Sequence, residues 1–196
     1  MGAVLAGGAS RRMGRPKALV EVGGVPMARR AADALVSGGV GPEAVVLVGG
    51  PAAWADALEM RWVADRWPGE GPLGGLATAL VDGPSAVGGP NPDADGDPIV
   101  VVAACDQPWL TGAAVAALVE GLRDGSAMAA LAVVAGRRQP FPAAWRASAA
   151  ALVTGLVAQG ERRAEAAGRA VASVEVPMDP AVVADIDRPG DLPSVP

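Results

Sequence analysis

The stretch that ends at Lys17 carries residues that can bind an anion. It begins with a short apolar run, breaks at Gly7 and Gly8, and continues as a loop that includes Arg12. Because glycine has no Cβ atom, phosphate oxygens can closely approach the backbone N–H groups of such a turn. Lys17 adds a mobile point charge, and Arg12 adds a forked donor. This order of residues favours a triphosphate cradle over its alternative, a surface loop that is merely basic.

Charge is unevenly distributed along the chain. The first twenty residues contain four basic side chains and no acidic one, whereas the whole chain of 196 residues has a formal net charge of -5. The positive region therefore coincides with the glycine-containing loop. An acidic chain argues against general nucleic-acid binding, which usually requires a basic face.

A carboxylate follows the most apolar segment of the sequence. Asp106 comes directly after Cys105 and the run 99–104, which has the pattern of a buried strand. An aspartate at the mouth of such a strand is placed to hold a hard cation among phosphates. The alternative is a turn former before Pro108. Cys105 is expected to be a small buried residue rather than a nucleophile.

Strands and helices alternate along the chain, which predicts an α/β domain with a mostly parallel sheet. In such sheets, ligands bind at the carboxyl ends of the strands. Asp65, Asp106 and Asp187 are each predicted to lie at such an end or in an adjoining loop. The expected strands are 3–6, 44–48, 61–64, 99–104, 128–135 and 171–176. The expected helices begin at Pro26, contain Trp54 and Leu58, cover 77–81, follow Thr111 and cover 147–158.

The length of the chain fits one domain, 1–196. A segment rich in proline, glycine and aspartate at 83–98 is predicted to be a flexible surface insertion and not a domain boundary. No apolar run approaches the ~20 residues of a membrane span, and the first residues lack the pattern of a signal peptide. One cysteine, Cys105, allows no intrachain disulfide. These features predict a cytoplasmic protein without a membrane partner.

The chain contains no histidine and no tyrosine. Histidine-based acid–base catalysis, a Ser-His-Asp triad and His-ligated zinc are therefore excluded. An enzyme with this composition must use carboxylates, lysine, arginine, backbone donors and, where charge must be neutralised further, a hard cation.

The first loop also resembles a known signature. It reads Leu5-Ala6-Gly7-Gly8-x-Ser10-x-Arg12-Met13-Gly14-x-x-Lys17. This pattern resembles that of the nucleotidyltransferases similar to molybdenum cofactor guanylyltransferase, and it is neither a Walker loop nor a dinucleotide-binding fingerprint. The resemblance implies a three-layer Rossmann-like fold of the nucleotide-diphospho-sugar-transferase type. It also implies that the loop backbone holds the nucleotide, that Lys17 holds the phosphates, and that Ala6-Gly7-Gly8 marks the guanine-using branch.

Three further segments resemble the same family. In Asp65-x5-Gly71-Pro72-Leu73-Gly74-Gly75, the resemblance places Asp65 near the guanosine and lets the glycine backbone approach the nucleoside. In Cys105-Asp106-x-Pro108-x-Leu110, it implies that Asp106 binds Mg²⁺. In Asp185-Ile186-Asp187-x-Pro189-x-Asp191-Leu192, it leaves open whether Asp187 joins Asp106 on the metal, faces the second substrate or only belongs to a capped final turn.

A fourth segment is similar to the one that meets the acceptor in the family. Its residues are Arg138, Gln139, Pro140 and Arg146, and Gln139 stands where relatives often have histidine. The resemblance thus implies catalysis by Lys17, Asp106 and Arg12, and metal binding by Asp106, with Asp187 as the candidate second metal ligand. It implies nucleotide binding by Leu5, Ala6, Gly7, Gly8, Lys17, Asp65, Gly71, Gly74 and Asp106.

The resemblance implies transfer of GMP from GTP to the phosphate of molybdopterin, with Mg²⁺ as cofactor and pyrophosphate as the leaving group. It also implies transient contact with proteins that insert the molybdenum cofactor or with the apoenzymes that receive it. Within this class, the alternatives are a cytidylyltransferase acting on the same pterin and a guanylyltransferase acting on another phosphorylated small molecule. A non-catalytic nucleotide- or pterin-binding module is the alternative of another class. A dinucleotide-dependent oxidoreductase is disfavoured because the glycine spacing of its fingerprint is absent.

Overall fold

The computed structural model describes residues 1–8, 13–88, 96–123 and 125–192. Strands and helices alternate in these residues, as the sequence predicts. The strands are β1 Gly2–Leu5, β2 Glu21–Val22, β3 Val25–Pro26, β4 Val45–Val48, β5 Arg61–Val63, β6 Ile99–Ala104, β7 Ala129–Val134, β8 Arg137–Arg146 and β9 Ser173–Pro177. The α-helices are α1 Met27–Ser37, α2 Ala52–Ala57, α3 Gly71–Val81, α4 Gly83–Ala86, α5 Gly112–Arg123, α6 Ala150–Ala158 and α7 Ala164–Ala170.

One large sheet organises the described part of the chain, with strand order β5-β4-β1-β6-β8-β7-β9. The pairs β1–β4, β1–β6, β4–β5 and β7–β9 are parallel, whereas β8 runs antiparallel to both of its neighbours. The short strands β2 and β3 form a separate hairpin. The predicted mostly parallel sheet is therefore confirmed, with one reversed strand that the sequence patterns did not indicate.

Two apolar cores cover the two faces of the sheet. Successive residues of β1 point to opposite faces, so Ala3 and Leu5 join one core while Val4 joins the other. Helices α3, α6 and α7 contribute to the first core, and α1, α2 and α5 contribute to the second. This arrangement confirms the expected three-layer architecture.

The central parallel strands determine where a site can form. Leu5 pairs with both Val48 and Ala104, so β1, β4 and β6 end at the same level of the sheet. The apolar sequences of these strands are buried, as expected for strands covered on both faces. The segments that follow β1 and β6 therefore emerge side by side at one edge of the sheet.

Strand β8 is the strand of the large sheet that the sequence patterns did not predict. It contains Pro140 and Pro142, which lack the N–H group of a sheet ladder and therefore weaken a strand pattern. In the register with β7, β8 pairs through 143–145 and through 137–138, and 139–142 lie at the shift between these two stretches. The prolines thus fall where the ladder is interrupted.

The first residues of the predicted insertion at 83–98 form a helix, which the sequence did not predict. Residues Gly83–Ala86 form the short helix α4, and Gly83 and Pro84 are buried. Pro84 lies in the first turn of this helix, where its missing N–H group costs nothing. The start of the segment is therefore helical and partly buried, residues 89–95 lie outside the described residues, and the flexibility of the insertion stays a prediction. Among the helices that the structure describes, none is both long and apolar enough to cross a bilayer.

Candidate active site

A cavity of about 770 Å³ opens where β1, β4 and β6 end. We call its part lined by Leu5–Gly8, Asp65 and Gly71 the glycine end. We call its part lined by Asp106, Gln139, Pro140 and Asp185 the carboxylate end. The predicted residues that line the cavity are Leu5, Ala6, Gly7, Gly8, Lys17, Asp65, Gly71, Asp106, Gln139 and Pro140. Gly74, Asp187, Arg138 and Arg146 are not part of the described lining, and Arg12 lies outside the described residues.

The described start of the loop after β1, residues 6–8, lines the cavity with two glycines, which have no side chain. The Ala6 N–H group donates to the Val48 carbonyl at 2.9 Å, which holds the beginning of the loop against β4. Gly8 has a φ of 118°, a value that favours glycine. Among the described residues, a Cβ atom on Gly7 would meet only the Asp65 Oδ2 atom, at 3.9 Å. The geometry is therefore compatible with the predicted approach of phosphate oxygens to this backbone.

Lys17 lies between two aspartates from distant parts of the chain. Its Nζ atom is 2.7 Å from the Asp106 Oδ2 atom and also donates to the Asp187 Oδ1 atom. Burial alone would lower the pKa of Lys17, but the hydrogen bonds and negative charges of Asp106 and Asp187 outweigh it and raise that pKa. Lys17 is therefore a permanent cation, and it is the one cationic side chain among the described residues of the lining.

Backbone hydrogen bonds place the two aspartates next to each other. The Cys105 N–H group donates to the Leu5 carbonyl at 3.0 Å and fixes the end of β6 beside β1. The Ile186 N–H group donates to the Asp106 carbonyl at 2.9 Å and brings the C-terminal segment to the same place. The Asp187 N–H group donates to the Asp191 Oδ2 atom at 3.0 Å. Asp187 is therefore held both by its own turn and by Lys17.

The carboxylate end can hold a divalent cation if a bound substrate supplies the remaining ligands of that cation. The carboxylates of Asp106 and Asp187 converge on one ammonium group, so their oxygens can share one cation. Burial, and then the charge of Asp106, raise the pKa of Asp185 to about 6. Among the described residues, no three Asp, Glu, Cys or His side chains form a complete metal site. Two carboxylates alone leave a divalent cation incompletely coordinated, so a cation here would need further oxygen ligands from a bound substrate.

Cys105 has no chemical role in this arrangement. Its side chain is buried, and burial followed by the charge of Asp106 raises the pKa of its thiol to about 12. A thiol with such a pKa is protonated at neutral pH and is a poor nucleophile. The expectation of a small buried residue is confirmed.

Asp65 and the glycines of α3 form the other end of the cavity. The Asp65 Oδ1 atom accepts hydrogen bonds from the Trp67 N–H group at 3.0 Å and from the Thr78 hydroxyl at 3.1 Å. Gly71 has a φ of 68°, and a Cβ atom there would lie 2.7 Å from the Arg162 carbonyl oxygen. Gly74 packs against the Trp67 carbonyl instead of lining the cavity, and Gly75 is the glycine of α3 that lies beside Leu5.

The structure separates the four residues expected at the acceptor. Gln139 and Pro140 line the cavity, whereas Arg138 donates to the Glu175 Oε1 atom at 2.8 Å and to the Gly168 carbonyl at 3.3 Å. Arg146 pairs with Ile99, at the opposite end of β6 from Asp106. Its guanidinium donates to the carbonyls of Leu122, Gly125 and Ala127, around the end of α5. Gln139 and Arg146 lie toward opposite ends of the extended strand β8, and the antiparallel pairing with β6 puts the Arg146 end beside Ile99, away from Asp106.

Sequence reasoning missed two side chains of the site. Gln107 is 4% exposed, and its Nε2 atom donates to the Phe141 carbonyl at 2.9 Å and to the Val183 carbonyl at 3.2 Å. Thr78 is completely buried behind Asp65. The position of Gln107 directly after Asp106 is the feature of the sequence that could have indicated it as a site residue. Thr78 lies inside an apolar helix, and no local pattern marks it.

Comparison with known proteins places the chain in a family. Residues 2–174 match the model of the MobA-like NTP transferase domain. A probable molybdenum cofactor guanylyltransferase from Deinococcus radiodurans is 33% identical over 97% of this chain and 90% of its own length. A probable molybdenum cofactor guanylyltransferase from Chloroflexus aggregans is 34% identical over 85% of this chain and 74% of its own length.

Solved structures support the fold. Molybdopterin-guanine dinucleotide biosynthesis protein A from Archaeoglobus fulgidus superimposes with a TM-score of 0.74 at 22% identity, over 97% of this chain and 93% of that protein. A manganese complex of a protein from Mycobacterium tuberculosis H37Rv has a TM-score of 0.63 at 18% identity, over 97% of this chain and 94% of that one. The match over 2–174, the curated relatives and the shared architecture together show that this chain belongs to the MobA-like NTP transferase domain family.

Proposed function

We propose that this protein transfers the GMP moiety of GTP to the phosphate of a molybdopterin-type acceptor and releases pyrophosphate. The observation that carries the proposal is the contact of Lys17 with both Asp106 and Asp187 beside the glycine loop. The proposal is supported because Lys17 and Asp106 share one cavity with Gly7 and Gly8, so a nucleotide held by these glycines would have a cation and hard-cation ligands near its phosphates. The names of the curated relatives support the choice of GTP and of the molybdenum cofactor as substrates.

The proposed reaction is a displacement at phosphorus. An oxygen of the acceptor phosphate attacks the α-phosphorus of GTP, a new P–O bond forms, and the bond to the β-phosphate oxygen breaks. The electron pair of that bond leaves with pyrophosphate. A phosphate monoester has its second pKa near about 6, so it is largely dianionic at neutral pH and needs no general base. The absence of histidine from the chain is consistent with this chemistry.

The protein would act by positioning and by neutralising charge. Backbone N–H groups of Gly7 and Gly8 would hold phosphate oxygens, and Lys17 would balance their negative charge. Asp106 and Asp187 would hold a divalent cation, which we propose to be Mg²⁺. Such an ion supplies electrostatic stabilisation of the charge that moves onto the leaving pyrophosphate.

The first test measures nucleotide binding without the acceptor. Calorimetric titrations with GTP, CTP and ATP, each with and without Mg²⁺, should show the tightest binding for GTP with Mg²⁺. Because Lys17 is the single lysine of the chain, its protection from acetylation by bound GTP can be followed by mass spectrometry. Preference for CTP would select the cytidylyltransferase alternative, and no binding of any nucleotide would overturn the proposal.

The second test measures turnover by pyrophosphate release. The variants Lys17→Met and Asp106→Asn remove one charge each with little change in shape, and we expect each to lower kcat by about 100-fold or more. The matched control is Asp33→Asn, which removes an exposed carboxylate that pairs with Arg29 on α1. Wild-type turnover in both site variants would contradict the mechanism, and GTP binding without any turnover would support a non-catalytic module.

A further inference from the structure

The hydroxyl of Thr78 is a buried polar group directly behind the cavity. Thr78 and Gln107 are the two polar side chains buried among the described residues, and Thr78 has no exposed surface. It lies in α3, a helix whose other buried residues are leucine, alanine and glycine. Burying a hydroxyl is costly unless it is hydrogen-bonded, so its partners indicate what it does.

The partners of this hydroxyl lead to Asp65. The Arg66 N–H group donates to the Thr78 Oγ1 atom at 3.1 Å. The same oxygen lies 3.1 Å from the Asp65 Oδ1 atom and 3.0 Å from the Gly74 carbonyl oxygen. A hydroxyl has one proton, and hydrogen bonds to a carboxylate are about twice as strong as those to a neutral acceptor. The Thr78 hydroxyl therefore donates its hydrogen bond to the Asp65 carboxylate.

These contacts fix the orientation of the Asp65 carboxylate. The Oδ1 atom accepts from both the Trp67 N–H group and Thr78, on the side of the loop and helix. The Oδ2 atom lies toward Gly7, because a Cβ atom added to Gly7 would be 3.9 Å from it. One carboxylate oxygen is therefore held by the protein while the other is presented at the glycine end of the cavity.

We propose that Thr78 is a positioning residue that holds Asp65 so that its Oδ2 atom accepts a hydrogen bond from the nucleoside part of the bound nucleotide. The inference rests on the proposed function, because it assumes that the cavity takes a nucleoside triphosphate. Asp65 is the one charged side chain among the described residues of the glycine end. Its ionised carboxylate can only accept hydrogen bonds, so the matching ligand group is a ribose hydroxyl or an N–H group of the base.

Three variants test this role through the dissociation constant of Mg²⁺-GTP. Thr78→Val removes the hydroxyl at constant shape and should raise that constant about tenfold, as expected for a lost hydrogen bond to a charged group. Thr78→Ser retains the hydroxyl and should restore the wild-type value. Thr154→Val is the matched control on α6, where the Thr154 hydroxyl donates to the Ala151 carbonyl at 3.0 Å, away from Asp65. Wild-type affinity in Thr78→Val would overturn the inference.

Because Thr78→Val also removes the acceptor of the Arg66 N–H group, its unfolding must be followed in parallel. If Thr78→Val does not fold, Thr78→Cys replaces it, since a thiol is a weaker donor. Thr78→Cys should then bind Mg²⁺-GTP less tightly than Thr78→Ser. Equal affinity of these two variants would overturn the inference.

A double-mutant cycle separates positioning from a general structural role. If Thr78 acts through Asp65, adding Thr78→Val to Asp65→Ala should not weaken GTP binding further. Additive losses would show that Thr78 acts independently of Asp65 and would overturn the inference. The analogues 2′-deoxyGTP, 3′-deoxyGTP and ITP then identify the donor, because the Thr78→Val variant should lose the wild-type discrimination against one of them.

Failure of the proposed function can be distinguished from failure of the inference about Thr78. If the wild-type protein binds Mg²⁺-GTP but releases no pyrophosphate with the acceptor, the transfer proposal fails and the role of Thr78 is still decided by the cycle. If the wild-type protein binds no nucleotide, both proposals are overturned. If it binds and turns over GTP while Thr78→Val matches it in every titration, only the inference about Thr78 fails.

Discussion

The two ends of the cavity are built in different ways. At the glycine end, the backbone of Gly7, Gly8 and Gly71 lines the space, and Asp65 is the charged side chain among the described residues. At the carboxylate end, side chains join segments that are far apart in sequence. Lys17 and Asp187, 170 positions apart, are in direct contact, and Gln107 reaches the carbonyl of Val183, 76 positions away.

This contrast predicts different consequences of substitution. Because glycine has no side chain to remove, a substitution of a glycine can only add atoms. Substitutions at the glycine end should therefore weaken nucleotide binding by steric contact. The carboxylate end depends on long-range hydrogen bonds and charges, so removing a side chain there should loosen several segments at once. The following variants test whether the two ends can be disturbed separately.

Among the variants that compare the two ends, the largest combined effect on stability and turnover is expected for Gln107→Met. This change removes the donors to the carbonyls of Phe141 and Val183, and we expect the free energy of unfolding to fall by about 2 kcal/mol because two hydrogen bonds are lost. Pyrophosphate release should fall about tenfold, and GTP affinity should stay within about twofold, since Gln107 lies at the carboxylate end. Urea unfolding, turnover and calorimetry measure the three quantities.

Gln159→Met is the matched control, because Gln159 is exposed at the end of α6. It should change neither stability nor turnover. If Gln107→Met weakens GTP binding as strongly as it slows turnover, the two ends are coupled and the comparison between them is wrong.

An intermediate effect is expected for Gly71→Ala. The added Cβ atom would meet the Arg162 carbonyl oxygen at 2.7 Å, and a φ of 68° costs a residue with a side chain about 1–2 kcal/mol. The dissociation constant of Mg²⁺-GTP should rise about tenfold, a value that calorimetry can measure.

The control for this variant is Gly24→Ala in the turn between β2 and β3. Gly24 has a φ of 77° but open space around its Cβ position. It should therefore lose stability through backbone strain alone and keep its GTP affinity. Equal GTP affinities of the two variants would show that the close approach at Gly71 does not matter for the cavity.

The smallest effect is expected for Arg138→Ala. Its ion pair with Glu175 is exposed, and such pairs contribute less than about 1 kcal/mol. Turnover and the KM for the acceptor should stay within about twofold of the wild type, because the guanidinium is directed to β9 and not to the cavity. Arg29→Ala, which removes another exposed ion pair, is the control. A large rise in the KM for the acceptor would contradict this prediction and show that Arg138 contributes to acceptor binding.

Most strands and helices could be predicted because their patterns are local. The apolar run of β6 and the periodic residues of α5 indicate buried elements without knowledge of their neighbours. Strand β8 could not be predicted, because Pro140 and Pro142 weaken its pattern and its strand conformation depends on pairing with β6 and β7. The extended conformation of β8 separates Arg146 from Gln139, and its antiparallel direction puts the Arg146 end beside Ile99, away from the cavity.

The sequence alone determined the glycine loop, the position of Lys17 and the carboxylate after β6. Each of these follows from neighbouring residues, since backbone freedom and strand propensity are local properties. The tertiary structure decided which carboxylates meet Lys17, which glycines of α3 face the cavity and which hydroxyl contacts Asp65. Those choices depend on packing between segments that are distant in sequence, and no local pattern carries that information.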